Sequence, residues 1–393
     1  MFLKQVKKRN PEIIDIGFYL HQKGLVEPNT YLLDLDYIKD NAAELSIKAD
    51  EHNINLYFIT KQIGRNPLIA REIAGAGIEK AVAVDPWEAE IINRAGVKIG
   101  NVGHLVQIPE GMVRDILMMN PEIITVYSVK KAKKISQKAR ELGRQQDIML
   151  RILDEDGFNY EGQKGGFYKS RLLEQVEDIV KLPNVNIKGV TAFPCLLYNY
   201  QKEKIEVTPN LQAIIKAKDL LKENYNITVT QVNAPSVTCV KSIPLLKEHG
   251  ATHGEPGHSL TGTTPAHADY QLSEKPAMIY LSEVSHTDGD EIYTYGGGFY
   301  ERSHVQGAIV GNKTNYKYIK GEPLNPEMID YYHVLQGKEK EVNIGDTVLY
   351  SFRTQIFVTR SRVAVIGGLH HGQPSVKGIY TSQGEKIRGG FKI

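Results

Sequence analysis

One pattern recurs along the sequence from Leu56 to about Pro265: a short run of apolar and β-branched residues, a turn or helix cap, and then a helix-like segment. Strands that alternate with helices usually pair in parallel, so this pattern predicts an α/β fold. Eight such runs within about 230 residues suit a closed (β/α)8 TIM-type barrel better than an open sheet. The predicted barrel strands lie at residues 56–60, 80–84, 98–100 or 105–107, 123–126, 148–153, 187–193, 228–232 and 251–254.

An open doubly wound sheet is the alternative fold. Such a sheet usually carries a Gly-rich phosphate fingerprint after its first strand. The turn after the first predicted barrel strand (KQIG, residues 61–64) does not have that fingerprint. The sequence therefore favours the closed barrel.

The pattern changes after Pro265, where short runs separated by Gly, Asp and Asn turns predict an all-β domain. We expect an N-terminal arm at residues 1–27, the barrel at residues 28–270 and the C-terminal all-β domain at residues 271–393. The arm is predicted to be irregular, or an opening strand that packs outside the barrel. The predicted strands of the second domain lie at residues 278–285, 291–295, 305–310, 347–350, 355–358 and 363–366.

The composition limits the possible partners and compartments. A chain of 393 residues with 41% apolar residues is long enough for two domains. Its formal charge is only +2, and the basic stretch at residues 130–138 has the spacing of a solvated helix face, so we do not expect nucleic acid as a partner. The 2 cysteines are too few for a disulfide framework, and no signal peptide or long apolar span occurs. We expect a cytoplasmic protein that does not bind a membrane.

A lysine ends the first predicted barrel strand. The run NLYFIT is followed directly by Lys61, and Asn66 with Pro67 predicts that the next helix begins at Pro67. Parallel α/β folds carry their chemistry at the carboxyl ends of the strands. A lysine desolvated there can act as an amine nucleophile or as a base. A solvated lysine in a loop is the alternative.

Three further motifs, together with the order of strand, lysine, barrel and β domain, carry a resemblance to a known family. They are GEPGH at residues 254–258, NAPSVT at residues 233–238 and TYGGGF at residues 294–299. The sequence resembles the fold-type III pyridoxal-phosphate enzymes, which include alanine racemases and related amino-acid decarboxylases. It is most similar to the YhfX-like branch, near the ornithine and broad-specificity racemases. The resemblance covers nearly the whole chain.

The resemblance implies pyridoxal 5'-phosphate as the cofactor, covalently linked to Lys61. Glu255 stands where the decarboxylases place a glutamate against the pyridine nitrogen, and where alanine racemases have an arginine. Gly257 and His258 then lie near the phosphate, but His258 replaces the arginine of the decarboxylases, which puts its phosphate role in doubt. No structural metal is predicted, because no ligand constellation occurs.

The same resemblance assigns further residues to the cofactor. Ser236 and Thr238 correspond to the phosphate loop, where hydroxyl and backbone N–H groups bind the phosphate. Arg65 stands where alanine racemases carry a phosphate-contacting tyrosine. Phe193 stands where the family has a histidine stacked on the cofactor ring, and it is either a stacking partner or a core residue. Arg151 falls on the fifth barrel strand, where the family places residues that set the lysine and tyrosine environments.

The motif around Tyr295 resembles the alanine-racemase turn whose tyrosine enters the active site of the other subunit. Racemisation removes a proton from one face of Cα and returns one on the other, so it needs two bases. Lys61 and Tyr295 are the predicted catalytic pair, in a homodimer with shared active sites. Arg353 and Arg360 are candidates for binding the substrate carboxylate, with surface arginines as the alternative.

We therefore predict an amino-acid racemase or epimerase. A decarboxylase of the same fold and a pyridoxal-phosphate homeostasis protein without turnover are the alternatives.

Overall fold

The chain divides into two compact units. The computed structural model describes residues 2–393. We call residues 43–60 and 70–257 the barrel unit, and residues 2–42, 61–69 and 258–393 the β unit. The α-helices are Phe2–Arg9, Pro11–Gln22, Leu35–Glu51, Pro67–Gly75, Pro86–Arg94, Val113–Met118, Val129–Glu141, Leu172–Val176, Pro209–Tyr225, Ile243–Glu248 and Pro265–Asp269.

The barrel unit contains a closed ring of eight parallel strands, which confirms the predicted (β/α)8 fold and excludes the open sheet. The ring closes where Asn55–Ile59 pairs with His253–Gly254. Two of its helices begin at side-chain caps, since Asp85 accepts a hydrogen bond from the Glu88 N–H and Ser128 accepts one from the Lys131 N–H. In ring order the strands are Asn55–Ile59, Lys80–Ala83, Lys98–Val102, Ile123–Val126, Gln146–Leu153, Val185–Thr191, Gln231–Asn233 and His253–Gly254.

The β unit is built on a sheet of ten strands, in agreement with the predicted all-β texture. The predicted strand at residues 355–358 is wrong, because Ile356–Val358 forms a 3-10 turn in the loop that leads to the next strand. The main path of the sheet runs Tyr316–Lys320, Gly307–Gly311, Thr347–Tyr350, Met278–Asp288, Thr30–Asp34, Arg362–Gly367, Ser375–Thr381 and Lys386–Lys392, and Glu291–Tyr295 pairs with Met278–Asp288 and with Tyr332–Gln336.

Thr30–Asp34 lies inside the sheet of the β unit, although the sequence analysis placed it in the barrel domain of residues 28–270. This strand pairs in an antiparallel manner with Met278–Asp288 and in parallel with Arg362–Gly367. All of its five residues are buried, as expected for a strand with neighbours on both edges and on both faces. Its partners are distant in sequence, which is why the local pattern did not reveal them.

The helices Phe2–Arg9 and Pro11–Gln22 replace the irregular segment or strand expected for the N-terminal arm, which corrects that expectation. Asn10 caps the second helix by accepting a hydrogen bond from the Ile13 N–H, and Pro11 occupies its first turn. The apolar residues of these helices pack with those of the sheet into one buried core cluster. The helices therefore supply one layer of the β unit, because the sheet needs a cover for an apolar face. The cluster includes Leu3, Val6, Ile13, Ile14, Phe18, Leu20, Leu32, Ile279, Leu281, Ile309, Leu349 and Ile366.

Within residues 2–393, none of the helices combines the length and the apolar character needed to span a membrane.

Candidate active site

Lys61 follows the barrel strand Asn55–Ile59 by two residues and begins a short 3-10 turn. The next helix begins at Pro67 as predicted, with the Asn66 side chain accepting hydrogen bonds from the N–H groups of Leu68 and Ile69. Phe193, Ser236 and Glu255 also come within three residues of the carboxyl end of a barrel strand along the chain. In parallel barrels these ends form the face that carries chemistry. Each of these candidate residues therefore belongs to a segment that directly follows a barrel strand in the chain.

Glu255 is a buried carboxylate held by the neighbouring strand. Its side chain accepts a hydrogen bond from Asn233 Nδ2 at 2.6 Å, and its backbone N–H donates to Thr238 Oγ1 at 3.1 Å. Glu255 is 3% exposed, so its position is fixed by these partners rather than by water. Asn233 ends the adjacent strand, and no role of its own was predicted for it. Its place at the end of the barrel strand next to the one that leads to Glu255 is the feature that could have identified it.

Ser236 lies in a loop with an uncommon backbone conformation. Ser236 and Val237 have φ values of 91° and 50°, and positive φ is especially costly for a β-branched residue such as valine. Ser242 Oγ holds the loop by donating to the Val237 carbonyl at 2.7 Å. Such conformations cost about 1–3 kcal/mol each, and they cluster at ligand-binding segments. The loop also offers the hydroxyl groups of Ser236 and Thr238.

His258 is held within the β unit by two neighbours. Its Nε2 donates to the Thr354 carbonyl at 2.8 Å, and Gln62 Nε2 lies 3.4 Å from its Nδ1. Burial lowers the pKa of His258 well below its usual range, and the nearby positive charges of Arg353 and Lys61 lower that pKa further. The ring is therefore neutral and already uses both nitrogens. A phosphate contact from His258, which the sequence analysis considered doubtful, would require it to exchange one of these bonds.

Arg65 is a buried arginine in a left-handed backbone conformation, with φ of 52° and 5% exposure. Its Nη1 donates to Gln383 Oε1 at 2.7 Å, and its guanidinium lies 4.9 Å from the ring centroid of Phe357. These contacts attach the turn after Lys61 to the C-terminal strands of the β unit. The aromatic contact adds a cation–π attraction.

Phe193 belongs to an aromatic cluster in the barrel unit and is only half-buried. Its ring lies 5.9 Å from that of His104 and 5.6 Å from that of Tyr160. Arg151 lies on a barrel strand and is fully buried. Its guanidinium lies 4.7 Å from the ring centroid of Tyr127 and donates a hydrogen bond to the Tyr127 hydroxyl. A half-buried ring is compatible with a stacking surface. The partnership of Arg151 with Tyr127 was not visible in the sequence.

Tyr295 lies at the end of a strand, where a glycine turn is held by close packing and hydrogen bonds. A Cβ on Gly298 would lie 2.3 Å from the Tyr280 ring, and Gly297 has φ of 104°. The Tyr280 hydroxyl donates to the Gly296 carbonyl at 3.2 Å, and the Gly297 N–H donates to Asp330 at 2.8 Å. The three glycines of the motif thus allow the turn to pack closely, while the Tyr295 side chain is 43% exposed.

Arg353 and Arg360 contact different neighbours. The Arg353 N–H donates to the Ser303 carbonyl, and its charge acts on His258. Arg360 is exposed, and its guanidinium donates to the Asp330 carbonyl and lies 5.6 Å from the Tyr331 ring. Arg360 and Tyr295 line the same cavity of about 620 Å3 in the β unit. Of the two arginines, Arg360 therefore lines this cavity together with Tyr295, and Arg353 does not.

A further cavity of about 490 Å3 opens at the amino-terminal end of the barrel strands. Its polar residues bond to one another, with Gln231 donating to Glu122 at 2.9 Å and Lys80 paired with Glu122 at 2.6 Å. Burial lowers the pKa of His253 to about 4, so this ring is neutral at pH 7. Conserved chemistry in such barrels is found at the opposite end. We therefore assign the candidate site to the carboxyl ends of the strands.

Comparison with known proteins identifies the family. Residues 33–265 match the family model described as alanine racemase, N-terminal domain. The chain belongs to this family, whose solved relatives are fold-type III pyridoxal-phosphate enzymes. Within it the chain belongs to the YhfX-like branch, because residues 279–376 match the model described as YhfX-like, C-terminal domain.

One relative matches almost end to end. The protein named "Uncharacterized protein YhfX" of Escherichia coli strain K12 is 40% identical over 389 residues, which is 98% of this chain and 100% of that protein. The fold is also similar to an alanine racemase of Clostridium difficile 630 with a TM-score of 0.63 and 14% identity, covering 90% of this chain and 98% of the racemase. D-threonine aldolase of Filomicrobium marinum gives a TM-score of 0.67 at 14% identity, covering 91% of this chain and 95% of the aldolase. These structures share the fold.

Members of this family use pyridoxal 5'-phosphate, and the residues of this chain fit that group. Lys61 offers an amine for its aldehyde, and Glu255 offers a buried carboxylate for its ring nitrogen. The loop at Ser236 and Thr238 offers hydroxyl and N–H donors for its phosphate. The set of donors therefore matches the three polar parts of the cofactor.

Proposed function

We propose that this protein is a pyridoxal-phosphate-dependent amino-acid racemase or epimerase. The observation that supports it best is Tyr295, a tyrosine presented at an exposed, rigid glycine turn. A base on each face of Cα is a chemical requirement of racemisation by two-base proton transfer. Lys61 moves the proton on one face and Tyr295 moves the proton on the other.

The bound cofactor withdraws electrons from Cα and so acidifies its proton. The protein residues hold and orient it. Lys61 provides the covalent link, and the donors of Ser236 and Thr238 hold the phosphate. The Glu255 carboxylate, which accepts a hydrogen bond from Asn233, would be the group that pairs with the ring nitrogen and would favour its protonated form. Arg360 binds the substrate carboxylate, because a guanidinium matches it bidentately.

We also propose that the protein is a homodimer in which the β unit of one subunit presents Tyr295 to the other subunit. The surface around Tyr295 supports this, because Tyr331 and Tyr332 are 61% and 37% exposed. Exposed aromatic side chains grouped with an arginine are typical of protein interfaces. The proposed dimer covers them.

Decarboxylation is the second candidate reaction, since the Glu255 carboxylate would assist it in the same way. The decarboxylases that this sequence resembles place a cysteine in the β domain, and this chain has no cysteine after Cys239. A homeostasis protein without turnover would have no use for Tyr295. Aldol cleavage enters as a further alternative because of the fold shared with D-threonine aldolase.

One experiment separates these functions. The protein, loaded with pyridoxal phosphate, is incubated in D2O with each L-amino acid and with D-threonine, and the Cα proton is followed by NMR. We expect exchange of the Cα proton with inversion of configuration for at least one amino acid, and none with Lys61→Ala. Release of carbon dioxide would instead identify a decarboxylase, and release of glycine from D-threonine an aldolase. No exchange with any of them would contradict a racemase of common amino acids.

The position of the cofactor can be tested separately. We expect the loaded protein to absorb visible light, and borohydride reduction followed by peptide mass spectrometry to locate pyridoxyl phosphate on Lys61. Lys61→Ala should lose both signals, whereas Lys80→Ala, at the other end of the barrel, should keep them. A reduced adduct that persists in Lys61→Ala would show that another lysine holds the cofactor.

A further inference from the structure

Asp330 lies in a loop of the β unit and contacts the glycine turn that follows Tyr295. Its carboxylate accepts a hydrogen bond from the Gly297 N–H at 2.8 Å. The carbonyl of the next residue in the loop, Tyr331, accepts one from the Gly296 N–H at 2.7 Å. Two consecutive N–H groups of the turn are therefore bonded to two consecutive residues of the loop. The proposed chemistry does not yet give Asp330 a role.

The loop and the turn are also packed closely against each other. A Cβ on Gly296 would lie 2.7 Å from Asp330 Oδ1 and 2.8 Å from the carbonyl carbon of Tyr331, so a side chain there would push the loop away. The strand that ends at Tyr295 pairs with the strand that follows the loop, with Tyr295 opposite Tyr332. Asp330 therefore holds the turn at the point where Tyr295 ends its strand.

The same loop and turn also hold Arg360, the arginine assigned to the substrate carboxylate. The guanidinium of Arg360 donates to the Asp330 carbonyl, and its backbone N–H donates to the Gly297 carbonyl at 2.9 Å. Burial raises the pKa of Asp330, whereas the Gly297 N–H and the positive charge of Arg360 favour its ionised form. Asp330 is therefore the residue at which the turn after Tyr295 and the side chain of Arg360 are joined.

In an amino acid, Cα is bonded directly to the carboxylate carbon, so a group that binds the carboxylate also determines where Cα lies. A base for the Cα proton must then stand at a fixed place relative to that group. We propose that Asp330 is a positioning residue that fixes Tyr295 relative to Arg360. This inference rests on the proposed function, which assigns both of these residues to the substrate. A misplacement of about 1 Å can cost on the order of 100-fold in rate.

The environment of the Tyr295 ring is measured first, in protein without cofactor or substrate. 3-Fluorotyrosine is introduced in place of Tyr295 by amber suppression, since a ring that is 43% exposed has room for the fluorine, and its fluorine NMR signal is recorded. We expect a single narrow signal in the parent and a broadened or divided signal in Asp330→Ala, which cannot accept the Gly297 N–H. Asp330→Asn keeps an acceptor oxygen and should restore the narrow signal. Glu327→Ala, which removes an exposed acid from the same loop, is the matched control and should leave the signal unchanged.

Exchange of the Cα proton in D2O then measures the effect on the reaction. For the enantiomer whose Cα proton faces Lys61, this lysine can remove and return a proton on one face, which gives exchange with retention of configuration. Inversion requires Tyr295 as well. We expect Asp330→Ala to lower inversion relative to retention by about 10-fold or more, and Asp330→Asn to recover most of that loss. A loss of folded protein alone would lower both by the same factor.

An unchanged fluorine signal in folded Asp330→Ala would overturn the inference. If the alanine variant does not fold, Asp330→Ser takes its place, because it keeps a polar group but withdraws it from the Gly297 N–H. An equal fall in inversion and retention would also overturn the inference, since Asp330 would then have only a structural role. A changed fluorine signal in Asp330→Ala, with no Cα exchange in the parent, would contradict the proposed function but support the placement of Tyr295 by Asp330.

Discussion

At the scale of single residues, the candidate site depends on the buried carboxylate of Glu255. Glu255 bonds to Asn233 through its side chain and to Thr238 through its backbone, and it is almost fully removed from water. A buried carboxylate held in one orientation can supply a fixed negative charge without reorganisation during a reaction. The proposed function assigns that charge to the ring nitrogen of the cofactor.

This role predicts a large kinetic effect of Glu255→Gln. The substitution keeps the shape of the side chain but removes the charge, so we expect the rate of Cα deuterium exchange to fall roughly 10²- to 10³-fold, or about 3–4 kcal/mol. Cofactor affinity should change far less, because the phosphate contacts remain.

Glu122→Gln is the control for this prediction, since Glu122 lies at the amino-terminal end of the barrel beside Lys80. Exchange rates followed by NMR provide the measurement. An exchange rate of Glu255→Gln within about threefold of the parent, under 1 kcal/mol, would remove Glu255 from the proposed mechanism.

His370 provides a prediction about pH and stability. Burial of His370 opposes its protonation, but the hydrogen bond and the charge of Asp34, whose Oδ2 lies 2.7 Å from Nε2, outweigh that burial and raise the pKa of His370. Asn10 donates to the same Asp34 oxygen at 2.8 Å, and the ring stacks on Tyr37 at 3.7 Å. The stabilisation is therefore complete below the pKa of the unfolded chain, about 6.5, and is lost as the pH rises through the higher pKa of the folded protein.

We expect His370→Gln to lower the urea midpoint of unfolding more at pH 5.5 than at pH 9. The adjacent, exposed His371 offers a matched control, and His371→Gln should give the same small difference at both pH values. Urea titrations followed by circular dichroism measure these midpoints. If the loss in His370→Gln were equal at both pH values, the charged pair with Asp34 would not contribute to folding.

At the scale of elements, the N-terminal helices pack closely on the sheet of the β unit. Gly17 lies at the closest approach, because a Cβ there would be 2.8 Å from Ile279 Cδ1 and 3.1 Å from Leu349 Cδ2. We expect Gly17→Val to destabilise the protein by about 1–3 kcal/mol through overpacking. Gly75→Val, in open space at the end of another helix, is the control. Urea titration would show similar midpoints for both variants if the helices did not pack this closely.

The sequence predicted the barrel elements well and the β unit less well, for a physical reason. Helix starts and strand patterns are local signals, so the helix that begins at Pro67 and the eight barrel strands could be located. Thr30–Asp34 falls within the predicted barrel domain, but its sheet partners lie in the C-terminal part of the chain. Pairing between segments that are far apart in sequence leaves no signal in the local residue pattern. The contact of Asn233 with Glu255 could not be predicted for the same reason, because it depends on which strands are neighbours in the barrel.

At the scale of the whole molecule, the proposed shared site gives a direct test of assembly. Lys61→Ala and Tyr295→Phe should each be nearly inactive, since each removes one of the two proposed bases. In a head-to-tail dimer, a mixture of the two chains contains hybrids with one intact site. We expect about a quarter of the parental activity after random subunit exchange, because half of the dimers are hybrids and each has one of two sites.

Exchange of subunits must be verified by native mass spectrometry with differently tagged chains. A mixture of Lys61→Ala with Lys61→Arg is the control and should stay inactive. If hybrids form but activity does not return, both residues act within one subunit.

The central place of Thr30–Asp34 has a consequence for the biosynthesis of the protein. This segment leaves the ribosome before the barrel unit, but its first sheet partner follows roughly 240 residues later. At about 5–20 residues per second, the segment waits on the order of 10–50 seconds for that partner. During this interval the residues of the barrel unit are completed, while the apolar faces of the first two helices have no sheet to cover. Thr30–Asp34 is therefore synthesised before the barrel unit, yet it reaches its native partners only after the barrel unit is complete.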